Sequence, residues 1–137
     1  MKKAVIFLAL IVLAGCATKP IPFDQAKPVP SKRLYAFQDK SQPAKILVTR
    51  DSGYQGFLCG VKFYIDGKLA AQLETSEKAI FYVPEGAHTV SADHNCHGPV
   101  DGTVLTTTTE DSTGLRISVG LNGAHINPII YQADSSL

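Results

Sequence analysis

His94-Asn95-Cys96-His97 is the densest run of metal-ligating side chains in the sequence, and Cys59 is a further thiol. Two imidazoles with one or two thiolates suit zinc or copper, which take nitrogen and sulfur donors. The spacing follows no standard zinc pattern, so metal binding through His94, Cys96 and His97 stands as an alternative reading, and no cofactor is expected. Acyl transfer is the other chemistry to weigh. Asp51-Ser52-Gly53 and the distant His125 supply the residue types of a triad, but a triad is a geometry, and Asp51-Ser52-Gly53 reads as a turn after a strand. Neither a Gly-x-Ser-x-Gly elbow nor a His-Glu-x-x-His helix occurs. Gly53-Tyr54-Gln55-Gly56 lacks the lysine and following helix of a phosphate-binding loop. Glu74, Glu77, Asp101, Glu110 and Asp111 fall in expected turns, where water solvates them, and no pair is set for acid–base work. The residues point away from an enzyme.

Residues 51–60 hold three glycines together with Tyr54 and Phe57, between two expected strands. Loops on rigid scaffolds carry recognition, which makes Tyr54, Gln55 and Phe57 candidate partner-binding residues. The simpler expectation is that Phe57 and Leu58 fold inward, cover the end of the core and place Cys59.

The elements that must hold these residues belong to one domain. The chain has 137 residues and a formal net charge of +1, a length for a single domain and a balance unlike the basic excess of a nucleic-acid binder. No nucleic-acid partner is expected. Three regions differ in composition. Met1-Lys2-Lys3 is a positive start, followed by 11 apolar residues from Ala4 to Ala14. That run is the short apolar stretch of a secretory signal, and bilayer-spanning helices need about 20 such residues. Next comes Leu13-Ala14-Gly15-Cys16, which resembles the lipobox of bacterial lipoproteins. The resemblance implies removal of residues 1–15 and acylation of Cys16, giving a membrane partner through the lipid. Ala17 follows where an Asp would favour retention in the inner membrane, so the family's sorting pattern implies the outer membrane, facing the periplasm. An envelope protein or the cell wall is the implied further partner.

With Cys16 assigned to the lipid, Cys59 and Cys96 remain as an even pair in an oxidising compartment, and a disulfide is expected. It would close a loop of 38 residues, worth about 4 kcal/mol by loop entropy, and would take both thiols away from a metal.

Residues 16–44 contain five of the eight prolines, namely Pro20, Pro22, Pro28, Pro30 and Pro43. Such a stretch reads as an extended tether, with Leu34, Tyr35 and Phe37 able to dock on the domain. From Ala17 to Ala44 it carries a net charge of +3, against −4 for residues 45–137.

Residues 45–137 read as strands. Val61, Phe63 and Ile65 alternate with polar neighbours, as do Leu69, Ala71 and Leu73, then Ala79, Phe81 and Val83, and later Leu115, Ile117, Val119 and Leu121. Asp66-Gly67 and Asn122-Gly123 are two-residue hairpin signals. Ile46–Arg50, His88–Val90, Thr103–Thr109 and Ile126–Tyr131 complete seven to eight strands, and Pro128 should confine the last to an edge. The fold expected is all-β, a small antiparallel β-sandwich over residues 45–137.

Phe63-Tyr64-Ile65-Asp66-Gly67-Lys68 and Ala79-Ile80-Phe81-Tyr82-Val83-Pro84-Glu85-Gly86-Ala87-His88-Thr89-Val90 resemble a PEGA-type β-module of bacterial envelope proteins. The resemblance spans Val61 to Ala92 and implies a fold, not a catalytic site. Asp93-His94-Asn95-Cys96 departs from the Gly-Tyr expected next.

Overall fold

The computed structural model describes residues 18–53, 57–96 and 98–130. Among them nine strands form two sheets. In chain order these are β1 (Lys27–Pro28), β2 (Ala44–Arg50), β3 (Val61–Ile65), β4 (Lys68–Leu73), β5 (Glu77–Val83), β6 (Gly86–His94), β7 (Asp101–Thr107), β8 (Thr113–Gly120) and β9 (Gly123–Ile130). One sheet has the order β1-β5-β2-β8-β9, the other β4-β3-β6-β7. No helix among the described residues is long and apolar enough to cross a membrane.

The period of two dictates the layers. Ile46, Val48, Phe81, Val83, Leu115 and Ile117 of the first sheet are buried, as are Val61, Phe63, Ile65, Leu73, Val90 and Ala92 of the second. A strand sends alternate side chains to opposite faces, so these sets meet between the sheets. Phe63 and Phe81 lie with ring centroids 5.4 Å apart at 29°, one from each sheet. Burying a side chain of that size stabilises the fold by roughly 1.5–3 kcal/mol.

The four-stranded sheet is antiparallel throughout. The five-stranded one is mixed: β2 runs antiparallel to β5 but parallel to β8, with Ile46 opposite Thr113 and Arg50 opposite Ile117. β9 is an edge strand, which suits Pro128. Asp66 and Gly67 both take positive φ, +50° and +75°, as a type I′ turn requires. At the later hairpin Gly120 faces Gly123, so the turn pair is Leu121-Asn122, one residue earlier than Asn122-Gly123. Positive φ falls on Gly123 alone of these, at +109°, the arrangement in which a left-handed residue follows the turn. The register of β3 on β4 shifts after Phe63, from Ala71 to Leu69. Ala70 is therefore extra, and both Ala70 and Ala71 are fully buried while Leu69 moves partly outward.

The proline-rich segment is not a free spacer over its described residues. Lys27–Pro28 pairs parallel with β5, Val29 donates its amide to the Lys78 carbonyl at 2.9 Å, and Ala26 and Val29 are buried. After a single 3-10 turn at Ser31–Arg33, Tyr35 donates its amide to the Ala70 carbonyl at 2.8 Å, and Phe37 accepts from the Tyr82 amide at 2.9 Å. The segment is a strap across the side where β4 and β5 would otherwise present open edges. Its apolar positions fill that gap, and the bulge at Ala70 frees a carbonyl to receive it.

Candidate functional site

One end of the sandwich collects the turns 51–60, 74–76, 95–100 and 121–122, since β2, β4, β6 and β8 all finish there. It also receives the first described residues: the Lys19 amide donates to the Ser52 carbonyl at 2.8 Å, and the Ser52 amide returns the bond at 2.9 Å.

Beneath these turns lies a layer of charge. Arg50 continues the inward face of β2 and is only 1% exposed. Its Nη1 donates to the carbonyls of Cys59 and Leu73, each at 2.8 Å. Burial pulls its pKa down to about 10, with the nearby Glu77 and Glu74 charges opposing the fall; it remains cationic at neutral pH. Asp51 is buried beside it and accepts Nε and Nη2 of Arg116, both at 2.6 Å. Glu77 accepts Nη1 and Nη2 of Arg33 at 2.7 and 2.6 Å and the Glu74 amide at 2.7 Å. Hydrogen bonding to these carboxylates holds the Arg33 and Arg116 guanidinium pKa values above their ordinary value, against the opposing effect of burial. Bidentate Arg–carboxylate pairs are directional and strong.

Two turn carboxylates expected to face water are therefore structural. Glu77 is buried and clamps the strap, while Asp101 accepts the Ile126 amide at 2.7 Å and ties β7 to β9. Asp51 is spent on Arg116, and the Ser52 hydroxyl donates to the Lys19 carbonyl at 3.2 Å. His125 is exposed on β9, opposite Ser118. The inventory of a triad does not assemble into one.

Cys59 and Cys96 form a disulfide, with Cα atoms 6.0 Å apart, inside the range that bridging requires. It joins the chain just before β3 to the chain just after β6 and takes Cys96 out of the alternative His94, Cys96, His97 ligand set. His94 is buried on β6 opposite Val61. Among the described residues no three His, Cys, Asp or Glu side chains converge on a metal-sized site. Cys16, Tyr54, Gln55 and His97 lie outside the described residues.

This end exposes several large apolar side chains. Leu58 is 83% exposed, Leu121 84%, Val100 59% and Phe57 51%. Phe57 and Leu58 thus point outward, contrary to the inward packing expected of them. Arg50 already closes this end of the core from the inward face of β2. A Cβ placed on Gly98 would stand 2.5 Å from the Asn122 carbonyl oxygen, so Gly98 and the 121–122 turn meet backbone to backbone. Leu121 ends the alternating run Leu115, Ile117, Val119 and Leu121, yet it falls in the hairpin turn and faces outward, while Val100 belongs to no alternating run. A leucine at the tip of a hairpin was the clue available.

The opposite end is polar and built on the residues of the second resemblance. His88 contacts Asp66 and the Pro84 carbonyl, Thr107 Oγ1 donates to the Pro84 carbonyl at 3.0 Å, and the Thr109 amide donates to Glu85 Oε1 at 2.7 Å. Gly86 turns the chain at φ +124°. These residues lock turns.

No family model, curated protein or solved structure matches this chain.

Proposed function

We propose that this chain is a lipid-anchored protein of the bacterial cell envelope, held through Cys16 in the outer membrane facing the periplasm, with its β-sandwich serving as a non-catalytic binding or assembly module. The observation that carries this reading is Leu13-Ala14-Gly15-Cys16 behind a positive start and an 11-residue apolar run. The Cys59–Cys96 disulfide supports it, because such bonds persist in oxidising compartments. The engagement of Arg50, Asp51, Glu77 and Arg116 in structural bonds supports contact as the mode of action. Residues of the 51–60 loop are the alternative working surface, for an inhibitor or ligand binder, favoured by the outward Phe57.

Growing cells with an alkyne-tagged fatty acid and separating their membranes tests the anchor. Label should enter the wild-type protein and be lost, with membrane sedimentation, in Cys16→Ala. A Cys16→Ala protein that is still processed and still sediments with membranes would end the proposal.

A further inference from the structure

The structure describes a sandwich whose two ends differ in character. Four of the six exposed large hydrophobic residues, Phe57, Leu58, Val100 and Leu121, sit on turns of one end. At the other end the turns carry Asp66, Glu85, Glu110 and Asp111. Lys19 is fastened to Ser52 at the apolar end, through two backbone hydrogen bonds. Cys16 precedes Lys19 by three residues, and at about 3.3–3.6 Å per residue the fully extended chain spans roughly 11 Å. An acylated Cys16 therefore cannot carry the apolar end far from the lipid surface. The seven-residue strand β2 alone sets the polar end about 20 Å further away.

From this we propose that the turns bearing Phe57, Leu58, Val100 and Leu121 form a second membrane contact, dipping into the boundary between headgroups and acyl chains. The inference rests on the lipid-anchor reading above and adds the orientation of the domain to it. The occupant of the apolar surface is a bilayer because the chain outside the structure leads to one within that short span. Apolar side chains that reach the interface are buried there to a depth of about 5–10 Å. The disulfide ties Cys59 to Cys96, and Gly98 packs against Gly123, so the residues beside Leu58, Val100 and Leu121 are held before insertion and need less ordering on binding. Lys19 and Glu74, on the strap side of the same end, bring one charge of each sign to headgroup level.

The sequence contains no tryptophan, which makes a clean depth experiment available. Full-length lipidated Leu58→Trp and Leu121→Trp, with Glu110→Trp as the polar-end control, are reconstituted into phosphatidylethanolamine–phosphatidylglycerol vesicles with and without brominated acyl chains. The expected result is blue-shifted emission at positions 58 and 121 that brominated lipid quenches, while position 110 emits as in water and is not quenched. Protein that floats with the vesicles but shows all three reporters alike and unquenched would overturn the second contact and leave the anchor standing. A blue shift without bromine quenching, together with crosslinked dimers, would assign the surface to a second copy and also overturn it. Flotation equal in wild type and Cys16→Ala, with reporters 58 and 121 unquenched, would remove the anchor reading and this inference together.

Discussion

His88 Nδ1 lies 2.7 Å from Asp66 Oδ2, while the other ring nitrogen, Nε2, lies 2.8 Å from the Pro84 carbonyl oxygen. Both neighbours are acceptors, so the ring satisfies both only as the imidazolium. The contact joins the β3–β4 turn to the β5–β6 turn and holds the polar end shut.

Burial of His88 disfavours its charge, but the Asp66 hydrogen bond and the Pro84 carbonyl outweigh that and raise its pKa above the ordinary value. Asp66 is lowered, first by the His88 hydrogen bond. A raised histidine pKa adds stability that is complete below about pH 6.5 and disappears as pH climbs through the folded value. The depressed Asp66 pKa adds stability that is complete above about pH 4 and disappears as pH falls through its folded value. Urea midpoints should therefore decline from mildly acidic to mildly alkaline pH, and His88→Gln should flatten that decline. Parallel pH profiles for the two proteins would show that the pair contributes nothing.

Replacing Arg50 by Met should cost about 3 kcal/mol, read as a lower denaturation midpoint with an unchanged m-value. The apolar side chain fits the space but strands the Cys59 and Leu73 carbonyls, and removes a positive charge that Glu77 and Glu74 feel nearby. Arg50→Lys should recover only part, since one ammonium cannot copy the fork of a guanidinium.

Loss of the disulfide in a Cys59→Ser, Cys96→Ser protein should lower stability by about 4 kcal/mol, the loop-entropy value for a separation of 37 residues. Hydrogen exchange should quicken first in the turns at the apolar end, around Gly60 and Asn95, whose backbone bond is 3.3 Å.

Arg33→Ala should loosen the strap while leaving the sandwich folded. The side chain bridges Glu77 and the Gln72 carbonyl from a largely buried position, and charged hydrogen bonds of this kind are worth about 2 kcal/mol. Amide exchange at Val29 and Tyr35 should rise well above that of Phe81; uniform protection across all three would show that the strap is held by its apolar residues alone.

The sandwich was legible because burial alternates along β3, β5 and β6, and over most of β2 and β8, and period-two patterning is local. What escaped the sequence is non-local. The Arg33–Glu77 and Asp51–Arg116 pairs join residues 44 and 65 positions apart, and a charged residue in a turn looks the same whether it meets water or a guanidinium. The strap was hidden by its prolines, which signal extended chain but not whether that chain lies on a surface. The bulge at Ala70 displaced Leu69 without a glycine to announce it. The disulfide followed from counting cysteines once Cys16 was set aside, whereas the outward turn of Phe57 and Leu58 depended on Arg50 capping the core, an inward charge that hydropathy reads as a surface residue.

The parallel seam between β2 and β8 has a consequence for how the chain reaches its final shape. β2 is the first long strand to be made, yet it ends in the middle of its sheet, between segments 77–83 and 113–117. Neither neighbour exists while the early chain emerges, so the centre of the sheet closes only when residue 117 is free. Such delayed closure makes the central pairing a non-local event that must wait for most of the chain, and it places the slow step of folding late in synthesis.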